Sequence, residues 1–169
     1  HLGPMANLFL KPDFLSTGGR AEHGPLPRWT TLYLLTQDER AFQSMLENSN
    51  AITGVPIHYR DEATDLPLNP IEHSSYSTHV NSRKKPPTSE DPTIWAPDQD
   101  HQASYTYLPY LLTGDRFYLE EMMFWASWNV LNQTVANRQG SLALISKDQI
   151  RAQAWILRSF GEVYRSLPY

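Results

Sequence analysis

The sequence predicts an all-α domain built from stacked α-hairpins. The first sign is an internal repeat: Tyr33-Leu34-Leu35-Thr36-Gln37-Asp38 and Tyr110-Leu111-Leu112-Thr113-Gly114-Asp115 agree at five of six positions, and the same offset of 77 residues places Met45 on Met122. The second is helical spacing of apolar residues after each copy, with Tyr118, Leu119, Met122, Met123, Ala126 and Val130 forming one stripe from Arg116 to about Leu131. The third is a break: seven prolines fall between Thr53 and Pro97 and leave no helical period there. Each copy reads as a helix end, a Thr-x-Asp corner and a second amphipathic helix, and such units bury their apolar faces only by stacking on one another.

With 169 residues, the chain has the length of one domain. Residues 1–24 read as an extended lead-in, with His1-Leu2-Gly3-Pro4 before Met5 resembling a tag remnant, and 25–169 as one α-hairpin domain with a loop insertion at 53–97. Hydrophobic residues make up 40 % and aromatics 12 %, enough for a packed core. Formal net charge is −4, and Arg83-Lys84-Lys85 is an isolated basic run, so nucleic acid is not an expected partner. No apolar run approaches the roughly 20 residues that cross a bilayer, so no membrane partner is expected either. The absence of cysteine excludes disulfides, thiolate metal sites and thiol nucleophiles.

The first helix begins near Pro25-Leu26-Pro27, because proline suits a first helical turn, and runs through Trp29, Leu32 and Tyr33 to Leu35. Thr36-Gln37-Asp38-Glu39 has the form of a capping box that opens a second helix over Ala41, Phe42, Met45 and Leu46, ending at Asn48-Ser49-Asn50. Val55 to Arg60 has strand composition and is expected to return through Leu66 to Ile71 as a short β-hairpin. Helix resumes at Asp98-Gln99-Asp100-His101, acidic residues suited to a helix start, and runs to Leu112 with a kink at Pro109. Ser146-Lys147-Asp148-Gln149 is a second capping-box pattern, opening a last helix whose stripe is Ile150, Ala154, Leu157, Phe160, Gly161 and Tyr164. Trp125 and Trp155 are expected in the core.

Tyr110 to Asp115, followed by Leu119-Glu120-Glu121 and by Arg151-Ala152-Gln153-Ala154-Trp155-Ile156-Leu157-Arg158, resembles the helix pairs of the (α/α) toroid, six-hairpin glycosidase-like superfamily. The resemblance covers residues 25–50 and 98–167. A full ring of twelve helices exceeds this length. What the resemblance implies is an arc of an (α/α) toroid: a piece of a longer ring, an arc completed by self-association, or a likeness confined to the hairpins. It further implies carbohydrate chemistry, as in glycoside hydrolases and polysaccharide lyases, with an oligosaccharide or polysaccharide bound where long loops meet helix starts.

That implication points to Trp95 through His101. Glycoside hydrolysis needs two carboxyl groups, whereas lyase chemistry needs a base and a cation that neutralises a uronate. Asp98, Asp100 and His101, with Tyr105 one turn on, supply groups for either scheme as catalytic candidates; helix capping by the acids and a buried structural His101 are the other reading of the same residues. Tyr59, Arg60, Asp61 and Glu62, next to His58, put a phenol, a guanidinium and two carboxylates in one loop, a substrate-binding candidate that is also ordinary surface-loop composition. Trp95 is the candidate stacking platform for a sugar ring, and Arg151, seven residues from Arg158 on one helical face, is the candidate for an anionic substrate or for a structural ion pair. No His-x-x-x-His or Glu-x-x-His spacing occurs, so no metal site is expected; neither a phosphate loop nor a dinucleotide fingerprint is present, so no cofactor is expected. The rival to an enzyme is a non-catalytic helical-repeat module that binds another protein.

Overall fold

The computed structural model describes residues 22, 24–79, 97–143, 145 and 149–168. Among the described residues five α-helices account for the regular structure: α1 (Arg28–Thr36), α2 (Glu39–Ala51), α3 (Tyr107–Thr113), α4 (Arg116–Leu131) and α5 (Ile150–Ser166). Short 3-10 turns follow α2 at Ile52–Gly54 and precede α5 at Gly140–Leu142. Among the described residues there is no β-strand. The segment expected to form a hairpin has one antiparallel bridge, Arg60 with Pro67.

The sequence repeat is a repeat of hydrogen bonds. In the first corner Thr36 Oγ1 donates to Leu32 O at 2.7 Å and accepts from the Asp38 N–H at 3.2 Å, while Asp38 Oδ1 accepts from the Arg40 N–H at 2.8 Å. In the second, Thr113 Oγ1 donates to Pro109 O at 2.8 Å and accepts from the Asp115 N–H at 3.1 Å, and Asp115 Oδ1 accepts from the Phe117 N–H at 2.9 Å. The middle residue is left-handed in both, Gln37 at φ 54° and Gly114 at φ 68°. Threonine therefore closes the outgoing helix and aspartate caps the next. This corrects the capping-box expectation: Asp38, not Thr36, is the N-cap of α2. Residues 146–148 of the other expected box lie outside the described residues, and α5 starts behind Gln149 without a side-chain cap bond.

The two hairpins share one core of Trp29, Met45, Ile52, Val55, Ile57, Ala103, Tyr105, Phe124, Trp125 and Trp128. Tyr118 joins them at one edge, its hydroxyl donating to Asn50 Oδ1 at 3.0 Å, and Ser49 Oγ donates to Tyr105 O at 2.6 Å. α4 is central and buried on most of its circumference, including Glu121 and Asn129.

Three expectations change. Residues 98–106 are not helical; α3 begins at Tyr107, which places Pro109 in the first turn, where its missing N–H costs no helical bond. Trp155 is half-buried, with the Arg158 guanidinium 4.7 Å above its ring. The α5 stripe faces outward: Ala152, Ile156, Ser159 and Ser166 are the buried residues of that helix, whereas Ile150, Leu157 and Tyr164 are exposed.

The irregular segment after α2 is a strap laid along α4 and running in the same direction. His58 and Arg60 meet Glu121 and Glu120, Leu68 O accepts from Ser127 Oγ at 2.5 Å, and the Thr78 N–H donates to Leu131 O at 2.8 Å. Beyond the helix, fully buried Arg138 donates to Ser74 O at 2.7 Å and to Tyr76 O. A strap without strands is thus satisfied by bonds to the helix and the loop behind it.

Candidate functional site

The segment before α3 brings together Asp98, His101 and Arg151. Asp98 closes a turn by accepting the Asp100 N–H on Oδ1 at 2.8 Å. Its other oxygen lies 2.5 Å from His101 Nδ1. On the far side of the ring, His101 Nε2 lies 3.0 Å from a guanidinium nitrogen of Arg151, which also donates to Gln149 Oε1 at 2.8 Å. A guanidinium only donates, so Nε2 is the acceptor and Nδ1 carries the proton directed at Asp98. The geometry directs Nδ1 at the Asp98 carboxylate and Nε2 at the Arg151 guanidinium. The His101 side chain is 10 % exposed and that of Asp98 21 %, while Arg151 is exposed, so the imidazole is the most sheltered member of the line.

Behind this line lies a polar floor absent from the sequence-based candidates. Gln99 donates to Asn129 O at 2.5 Å, Asn129 Nδ2 donates to Gln102 Oε1 at 2.9 Å, and Gln102 Nε2 donates to Ser159 Oγ at 2.9 Å. Arg158 donates to Gln102 O at 3.0 Å and lies 3.6 Å from Glu162. Burial pulls the Arg158 guanidinium down and pushes the Glu162 carboxyl up, the latter opposed by the Ser104 hydroxyl and by Arg158 itself. This network holds residues 99–104 against α4 and α5 and so positions His101. Its one legible signal was Asn129, an amide inside the apolar run of α4.

Of the acid candidates, Asp98 has both oxygens engaged, one by the backbone N–H of Asp100 and the other by His101. Tyr105 is 2 % exposed and belongs to the core, packed beside Trp125 with ring centroids 6.4 Å apart. Trp95 lies outside the described residues.

The loop candidates form a second cluster, anchored on α4. Arg60 forks onto Glu120 at 2.9 and 3.3 Å, donates to Asp65 O at 2.6 Å and stacks 4.7 Å over Phe124. Hydrogen bonding to Arg60 holds the Glu120 carboxyl below its ordinary value. His58 Nε2 is 3.0 Å from both oxygens of Glu121 and packs edge-on to Phe124. Asp61 accepts from the N–H groups of Ala63 and Thr64 and lies 2.7 Å from His73 Nε2; the Thr64 N–H is the largest of the influences that lower its carboxyl. Arg60 and Asp61 are thereby committed to protein partners that shape the strap, Tyr59 packs against the core and Glu62 is exposed.

Among the described residues no group of three or more His, Asp or Glu is placed to hold a metal ion, and no helix is long and apolar enough to cross a membrane. Compared with protein-family models, with curated proteins and with solved structures, the chain matches none.

Proposed function

We propose that the chain is a carbohydrate-active domain of the polysaccharide-lyase type, acting on uronate-bearing sugar chains, with His101 as base and Arg151 as the partner of the sugar carboxylate. The observation that supports this is the Asp98–His101–Arg151 line. A carboxylate on Nδ1 makes Nε2 the basic nitrogen, and a guanidinium within reach has the planar fork that a carboxylate takes.

In this reading Arg151 moves from Nε2 to the uronate carboxylate and draws electron density toward it, which acidifies the adjacent C5–H. Nε2 takes that proton, the C4–O bond breaks, the electron pair forms the C4=C5 double bond, and the departing oxygen acquires a proton from solvent. Asp98 stabilises the imidazolium that forms. A hydrolase pairing is less well supported, because Asp98 is already held by His101 and by the Asp100 N–H.

The test incubates the full chain with polygalacturonate, alginate, glucuronan and neutral xylan and follows the ultraviolet absorbance of the unsaturated uronate. The expected result is product on at least one acidic polymer and none on xylan, with His101→Ala and Arg151→Ala lowering kcat/KM by about 100-fold or more while the far-ultraviolet spectrum is unchanged. Absence of unsaturated product on every acidic polymer, or full turnover by His101→Ala, overturns the reading.

A further inference from the structure

Helix α5 carries an apolar seam that its own fold does not use. Ile150, Ala154, Leu157, Gly161 and Tyr164 recur at spacings of four, three, four and three, the 3.5-residue period of a coiled-coil seam, and every one of them is exposed. Ile150, Leu157 and Tyr164 are 82 %, 61 % and 71 % exposed. The helix packs on α4 through its opposite, small-residue side, Ala152, Ser159 and Ser166 with Ile156. A Cβ built on Gly161 would meet nothing within 4 Å, so the position is an open hole between two large side chains.

We propose that this seam is the interface of a two-fold dimer, in which α5 of one copy lies antiparallel on α5 of a second copy of the same chain. Large and small positions alternate along the seam, so an antiparallel copy related by a two-fold axis at the level of residue 159 can seat large side chains over small positions, and the surface is then its own complement. Antiparallel pairing sets Leu157 of each copy over Gly161 of the other and Tyr164 over Ala154. Parallel pairing would instead stack Tyr164 on Tyr164 and leave a gap at Gly161.

The area is adequate. With about 150–250 Å² for an aromatic side chain, somewhat less for an aliphatic one, and each scaled by its exposed fraction, Ile150, Leu157, Tyr164 and the partly exposed Leu167 present roughly 500 Å² per copy. Two copies remove about 1,000 Å² from water, the lower bound of a specific interface, before Gln153, Phe160 and Arg165 at the edges are included. The flanking charges are compatible with close approach: Arg151 turns to His101 and Arg158 to Gln102 and Glu162, so only Arg165 of that row is left at the rim. Phe160 is three residues from Leu157 and four from Tyr164, and it also lines a groove of about 330 Å³ with Pro67, Ile71, Met123 and Val163. The seam therefore borders further apolar surface on one side.

The experiment is molar mass by light scattering over a concentration series of the full chain, paired with cysteine cross-linking, which is clean because the protein has no cysteine. The wild type is expected at twice 19.4 kDa. Leu157→Glu, which removes a leucine from both copies, is expected to raise the dimer dissociation constant by about 100-fold or more. The double variant Ala154→Cys/Tyr164→Cys is expected to give a covalent dimer on mild oxidation, whereas each single variant does not. A wild type that stays at 19.4 kDa throughout overturns the proposal. So does a dimer of undiminished affinity in Leu157→Glu, or a cross-link by Tyr164→Cys alone in place of the double variant. Should Leu157→Glu fail to fold, the cysteine pair decides.

Discussion

His58 Nε2 lies 3.0 Å from both carboxylate oxygens of Glu121, 63 residues away, and this one contact fastens the start of the strap to the central helix. The Glu121 side chain is 6 % exposed and that of His58 30 %, so the ring shields the carboxylate from water.

Removing the imidazole strands a buried carboxylate. His58→Ala is expected to cost about 1–3 kcal/mol, below the range for a fully buried pair because the ring is partly solvated. Adding Glu121→Gln should recover part of that loss by removing the unpaired charge. Urea unfolding of the two single variants and the double checks this; additive losses would show that the two side chains do not interact.

Acid should loosen the strap and the first corner through their carboxylates. Asp61 and Glu120 are both held below their ordinary values, by backbone N–H groups and by Arg60 respectively, and Asp38 is lowered to about 2, chiefly by Arg40. Depressed native values mean that the unfolded chain binds protons first. The stability these groups contribute is present above the unfolded carboxyl range and is lost as pH falls through the native values, a window from about pH 5 downward. Asp61→Asn and Glu120→Gln should each flatten the acid limb of unfolding free energy against pH. An unchanged slope in Asp61→Asn would mean that its turn is not formed in solution.

The two corners provide an internal comparison. Gln37 at φ 54° and Gly114 at φ 68° occupy equivalent left-handed positions, and a Cβ at 114 would meet nothing within 4 Å. Gly114→Gln should therefore cost only the backbone preference, about 1 kcal/mol, and Gln37→Gly should gain about 0.5–1 kcal/mol. Thermal unfolding of both variants measures the opposite shifts; shifts of the same sign would mean that side-chain contacts outweigh the backbone term.

Asp98 acts on the proposed chemistry through His101. Asp98→Asn should lower kcat on an acidic polymer by about 100-fold or more with little change in KM, because an amide can donate to Nδ1 and so favour the wrong tautomer. The pH profile is the second readout: its base limb should move, which a purely structural loss would not cause. A parallel fall in kcat at all pH values, with the limb in place, would assign Asp98 to turn formation alone.

The hairpin corners were legible because their chemistry is local. Threonine, a left-handed residue and aspartate within three positions satisfy helix ends whatever surrounds them. The start of α3 was not, since an acidic run that suits a helix N-terminus also suits the turn that Asp98 makes with the Asp100 N–H. Nor was the strap: nothing in His58-Tyr59-Arg60 announces that Glu120 and Glu121, some 60 residues on, will receive it. On α5 the apolar period was evident, but a stripe states only that one side of a helix is apolar. Which neighbour lies beneath it was decided by the polar bonds of Gln102 and Arg158, which turn the opposite side inward.

Each Thr-x-Asp corner closes through bonds between residues no more than four apart, whereas the strap, beyond its own short turns, docks on the rest of the fold through pairs separated by about 55 to 65 positions. Short chain closures are entropically cheap and fast, and long ones are neither. The corners are thus the natural nuclei of collapse, with α4 assembled before the strap has found it. A slow late phase, one that gains little helix and protects the amides of residues 59–79 last, would be the kinetic trace of that order.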